Sequence, residues 1–153
     1  MTPLATFLTA RDYVSLALTR AASGHLALAA ARVNGQEATL YLDTGAGQTL
    51  LDLAFAQRLR LPLTEDARRG AGAGGGGLAL FQTVVAQLTL ATFAEPDWAC
   101  AVMDLTHVNA GLRQRGLAPM DGIIGGDLLQ RREAVIDYRQ SVLFLKIPPA
   151  RAA

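Results

Sequence analysis

The strand-like run Ala38-Thr39-Leu40-Tyr41-Leu42 ends in a carboxylate, Asp43, and passes at once into Thr44-Gly45-Ala46-Gly47. Burying a carboxylate at the end of a hydrophobic run costs several kcal/mol unless it is paired, hydrogen-bonded or protonated. Such a placement needs a reason. Taken alone, the aspartate also reads as the cap of a turn or of the helix that follows.

The surrounding pattern is that of many short strands. Residues 13–19 alternate imperfectly, and residues 25–33 and 37–42 flank Asn34-Gly35, the strongest short-range hairpin signal in the chain. Residues 50–59 have helix-compatible spacing. Residues 78–85, 88–93 and 99–103 read as strands, with Glu95-Pro96-Asp97 as an interruption. Residues 105–115 read as a short helix ended near Gly116 and Pro119, Ile123-Ile124 as a short buried strand, and residues 127–132 as a helix with Asp127 at its start. Residues 134–138 and 142–147 form a closing hairpin. Between positions 70 and 77, Gly70, Gly72, Gly74, Gly75, Gly76 and Gly77 are interspersed only with alanine, a stretch suited to a mobile hairpin tip.

Composition bounds the rest. A chain of 153 residues, 51% hydrophobic, is long enough for one domain with its own core, and no repeat or linker divides it. The expectation is a single domain over 1–153, with its core at about residues 24–147. The formal charge of +1, from 14 basic and 13 acidic residues, gives no electrostatic case for a nucleic-acid or membrane-surface partner. No apolar run approaches the ~18 residues of a membrane span. The first ten residues lack the pattern of an intact signal peptide, so a soluble protein is expected, cytoplasmic or, after trimming of an export signal, periplasmic.

An inventory removes several mechanisms. The three serines stand outside any Gly-x-Ser-x-Gly setting. Cys100, the sole cysteine, reads as a small buried hydrophobe; a nucleophile and base pair with His107 is the alternative in principle, but nothing marks the thiol as activated. Neither His25 nor His107 has a ligand partner at metal-binding spacing, and no metal or cofactor is expected. Gly45-Ala46-Gly47 falls short of a dinucleotide-binding turn because Leu50 stands where a third glycine belongs, and no Lys-Ser or Lys-Thr follows the glycine stretch to make it a phosphate cradle.

Downstream of the glycine stretch, Asp121-Gly122-Ile123-Ile124-Gly125-Gly126-Asp127-Leu128-Leu129 supplies a second apolar-apolar-glycine element before a helix. In this order, the three elements resemble the retropepsin-like aspartic proteases across residues 26–145. The resemblance implies a mainly β, closed antiparallel barrel-like domain with one or two short helices. It implies Asp43 as the catalytic aspartate and Thr44 as a hydrogen-bonding support across a homodimer. Gly45 and Ala46 would complete the active-site turn, Ile123, Ile124 and Gly125 would line the substrate pocket, and the glycine stretch would form a flap. The function implied is that of an aspartic endopeptidase acting on peptide or protein substrates, with a non-catalytic peptide-binding or dimerisation module on the same fold as the alternative.

Two departures from the family pattern stand out. Many retroviral members carry an acidic residue and an interacting arginine where this chain has Gly47 and Gly126, and many pepsin-like members carry a hydroxyl at the position of Ala46. Without that hydroxyl to hydrogen-bond the charged carboxylate, the rate profile is expected to reach towards near-neutral pH. Asp121, Asp127 and Asp137 read as turn, helix-start and strand-end residues, not as a second catalytic acid.

Overall fold

A computed structural model describes residues 2–21, 24, 26–28, 30–72 and 75–148. His25 and Gly74 lie outside them. Helix α1 (Pro3–Thr9) starts on Thr2, whose hydroxyl accepts from the Ala5 amide at 3.2 Å, with Pro3 in the first turn, where its missing N–H costs nothing. This helix is not anticipated from the sequence. The chain turns at Asp12 and enters β1 (Tyr13–Arg20), which buries Leu16 and Leu18. Strands β2 (Leu26–Leu28), β3 (Ala31–Val33), β4 (Gln36–Glu37) and β5 (Leu40–Leu42) follow. The β3–β4 hairpin forms where expected: Asn34 and Gly35 both take positive φ, 50° and 81°, as a two-residue turn matched to strand twist requires.

Next come β6 (Leu50–Asp52), α2 (Leu53–Arg58), β7 (Thr64–Gly72), β8 (Gly75–Leu90), β9 (Phe93–Met103) and α3 (Thr106–Gln114). The chain continues through β10 (Gly122–Ile124), α4 (Gly126–Arg131), β11 (Val135–Asp137) and β12 (Val142–Lys146). The helix expected over residues 50–59 is therefore shorter. Its first three residues are strand, because Leu50 and Leu51 pair in parallel with Ala101 and Val102 and antiparallel with β10. The expected break at Glu95-Pro96-Asp97 is absent, and β9 runs through it. The amide and carbonyl of Gln87, opposite Pro96, both turn to Asn34 on the other side, so no Pro96 N–H is called for.

The mainly β class holds, but closure does not. The strands form one open sheet in the order β11-β12-β1-β2-β5-β10-β6-β9-β8-β3-β4, with β7 joined to β8. Strands β11 and β4 are free ends, and the pairings β5–β10 and β6–β9 are parallel. The described residues contain four short helices, more than the one or two that the resemblance implies. Most apolar side chains form a single core that includes Leu16, Leu40, Leu51, Phe55, Ile124 and Leu128. A second, smaller cluster of Tyr41, Met103, Leu105, Leu112 and Met120 lies under α3. The β7–β8 pairing extends out to Gly72 and Gly75, so Gly70, Gly72, Gly75 and Gly76 continue the ladder, while Gly77 takes φ 112°. Among the described residues no helix is long and apolar enough to cross a membrane.

Candidate active site

Strand β5 buries Leu40 and Tyr41 and releases the chain at Asp43. The backbone then folds back on itself. The Gly45 amide donates to Asp43 Oδ1 at 2.8 Å, and the Ala46 amide donates to the Asp43 carbonyl at 3.2 Å. This Asx-type turn orients the carboxylate while leaving it exposed. A Cβ on residue 45 would stand 3.2 Å from Asp43 Oδ1, which favours glycine there.

Strand β10 lies parallel to β5, with Leu42 opposite Ile124, and brings the second glycine element against this turn. The Asp43 amide donates to the Ile124 carbonyl at 3.1 Å, and the Gly126 amide donates to the Ala46 carbonyl at 2.7 Å. The crossing is close: a Cβ on Gly125 would stand 2.5 Å from the carbonyl carbon and oxygen of Gln48, and one on Gly122 would stand 2.4 Å from the Leu50 carbonyl. Thr49, wholly buried, finishes the loop. Its amide and hydroxyl both donate to Asp127 Oδ1 at 2.8 Å, its hydroxyl accepts from the Gly125 amide at 3.3 Å, and Asp127 Oδ1 also accepts from the Leu128 amide at 2.8 Å. Asp127 is therefore more than a helix-start residue, since it ties the loop after Asp43 to α4.

Asp43, Gly45 and Ala46 stand on the wall of a cleft of about 960 Å³. Its apolar surface includes Tyr41, Leu50, Met103, Leu105, Met120 and Ile123, and a further wall is formed by His107, Val108, Gly111 and Leu112 of α3 with Arg115 just beyond its end. Positions 108, 111, 112 and 115 share one helical face, a spacing legible in the sequence, although their convergence on Asp43 is not. Among the described residues Asp43 is the only carboxylate lining the cleft.

The expected pocket residues divide. Ile123 faces the cleft, whereas Ile124, its neighbour on the strand, faces the opposite way and is wholly buried in the main core. Ile124 and Gly125 therefore support the site from behind. Thr44 is exposed and borders a separate surface groove with Gly126, Leu129 and Ile136, and its hydroxyl makes no hydrogen bond among the described residues. Cys100 is a poor nucleophile: burial, reinforced by the charge of Asp127, pushes its thiol up to about 12.

Comparison with known proteins places this geometry. Mouse protein DDI1 homolog 2 is 30% identical over 116 residues, covering 74% of this chain, which spans only 26% of that protein. Among solved structures, a retropepsin-like aspartic protease from Rickettsia conorii superposes with a TM-score of 0.57 at 22% identity, covering 87% of this chain and 89% of that one. The retroviral protease-like domain of Ddi1 from Leishmania major gives 0.52 at 18% identity over 92% and 99% of the two chains. The EIAV protease, solved with the inhibitor HBY-793, gives 0.52 at 22% identity over 78% and 98%. The sequence profile described as Aspartyl protease matches residues 29–128, more than half of the chain, and the protein belongs to that family.

Proposed function

We propose that this protein is an aspartic endopeptidase whose active site forms when two copies bring their Asp43 side chains together. The observation that carries this reading is the pairing of a hydrogen-bond-oriented, exposed Asp43 with a cleft that holds no second carboxylate among the described residues. Two carboxylates roughly 3 Å apart cannot both ionise, so they share one proton. The ionised member takes a proton from water as the oxygen attacks the peptide carbonyl, and the protonated member donates to the carbonyl oxygen. Collapse of the tetrahedral adduct then sends a proton to the leaving amide nitrogen. The unused hydroxyl of Thr44 suits a hydrogen bond to the partner's matching loop, and the β7–β8 hairpin suits a flap that excludes water.

A peptide-library cleavage profile compared between wild type and Asp43→Asn tests the chemistry. Titrating wild type with excess Asp43→Asn chains tests the pairing. Activity should fall as mixed dimers form, and specific activity should fall on dilution. Activity that persists in Asp43→Asn, or that ignores both the added chains and dilution, overturns the reading.

A further inference from the structure

The charges on the cleft wall bear on what binds there. Apart from Asp43, its ionisable linings are His107 near the start of α3, Arg115 just beyond its end, and Tyr41, whose hydroxyl donates to the Ala118 carbonyl at 3.0 Å. Arg115 is exposed and forms no ion pair among the described residues. The acids that precede α3 and β10 in the chain are already engaged: Asp104 accepts from the Thr106 amide at 2.8 Å, and Asp121 accepts from the Thr39 amide and Arg58 at 2.9 and 3.3 Å. The guanidinium thus borders a cleft lined mostly by apolar side chains, with Asp43, His107 and Tyr41 as its other ionisable groups, and is available to a ligand. Gly111, in the middle of the same wall, has open space where a Cβ would stand.

We infer that the cleft under α3 selects peptides carrying a large apolar side chain with an Asp or Glu two residues away, the apolar group seated against Gly111 and Leu112 and the acid held by Arg115. In an extended peptide, residues two apart share a face and lie roughly 7 Å apart, well within the length of a nine-residue helix. Guanidinium–carboxylate pairing is charge-assisted and favours an acid over an amide or a lysine. This inference rests on the peptidase reading for its peptide ligand, but binding can be measured without cleavage.

The experiment uses the full chain carrying Asp43→Asn and fluorescence polarisation with labelled peptides Leu-x-Glu, Leu-x-Gln and Leu-x-Lys, embedded in one neutral sequence in both orders. Leu-x-Glu should bind about tenfold more tightly than Leu-x-Lys, and the preference should shrink in high salt. Adding Arg115→Met should abolish the Glu over Gln preference, and Arg115→Glu should reverse Glu against Lys. Arg113→Glu, on an exposed α3 residue outside the cleft lining, should leave the order intact. Gly111→Leu, which favours the helix and fills the cleft, should weaken Leu-x-Glu about tenfold relative to Ala-x-Glu. An unchanged order in both Arg115 variants, or no binding by folded protein, overturns the inference. Wild-type cleavage is scored separately: a charge order that follows Arg115 without Asp43-dependent cleavage overturns the peptidase reading and leaves the binding preference standing.

Discussion

Thr49 delivers both its amide and its hydroxyl to one oxygen of Asp127, each at 2.8 Å, across 78 residues of sequence. Together with the Gly126 amide on the Ala46 carbonyl, this acceptor fastens the loop that follows Asp43 to α4. Asp127→Ala leaves buried donors on Thr49 unsatisfied and is expected to cost about 2–3 kcal/mol. Asp127→Asn keeps an acceptor oxygen and should recover at least half of that. Urea unfolding of the two variants checks the order, and equal losses would show that the carboxylate's charge matters more than its bonding.

The glycines on β10 and just after it offer a sharper contrast. Gly125→Ala and Gly122→Ala push a methyl group into backbone carbonyls and are each expected to cost at least about 3 kcal/mol or to abolish folding. Gly47 has open space around its Cβ position and no positive φ, so Gly47→Ala should be within about 0.5 kcal/mol of wild type. Thermal denaturation of the three variants provides the comparison.

Glu95 on β9 and Arg132 after α4 form an almost fully buried ion pair through two bonds of 2.6 and 2.8 Å. Removing one partner strands the other, so Glu95→Ala should cost about 3–5 kcal/mol. The double variant Glu95→Leu with Arg132→Met should be distinctly more stable than either single variant. A double-mutant cycle measured by denaturant unfolding tests the coupling.

Cys100 gives a pH dependence of known sign. Burial and the neighbouring Asp127 raise its thiol from the usual 9.0 to about 12. Between those values the unfolded chain has lost a proton that the folded chain keeps, so stability must fall as pH rises above 9.0, at up to about 1.4 kcal/mol per pH unit. The difference in unfolding free energy between wild type and Cys100→Ala, followed from neutral to alkaline pH, should reveal that slope. Thiol reagents should label Cys100 only as fast as the protein opens.

Much of this arrangement is legible in the sequence where a short run sets its own conformation. Asn34-Gly35 dictates its turn, Asp43-Thr44-Gly45 dictates the Asx-type turn, and the two apolar-to-glycine elements point to a shared site. What the residues do not disclose is set by partners remote in the chain. Leu50 and Leu51 look helical until β9 and β10 claim them as strand, and Pro96 looks like a break until Asn34 takes both backbone bonds of Gln87. Nor does the pair Ile123-Ile124 announce which member faces the cleft. The role of Asp127 was hidden for the same reason, since its chief partner, Thr49, lies on another element. Whether the sheet closes depends on which strand ends meet, and alternation along individual strands carries no record of that.

The parallel register of Leu42 with Ile124 also orders events in time. A chain emerging from a ribosome presents Asp43 long before the strand that supports it, and contacts so distant in sequence are slow to form. Until residue 127 has emerged, the turn at Asp43 lacks its backing strand, the glycine crossing and the acceptor for Thr49. A nascent chain therefore carries the Asp43 carboxylate unmounted until β10 and α4 arrive to back its turn.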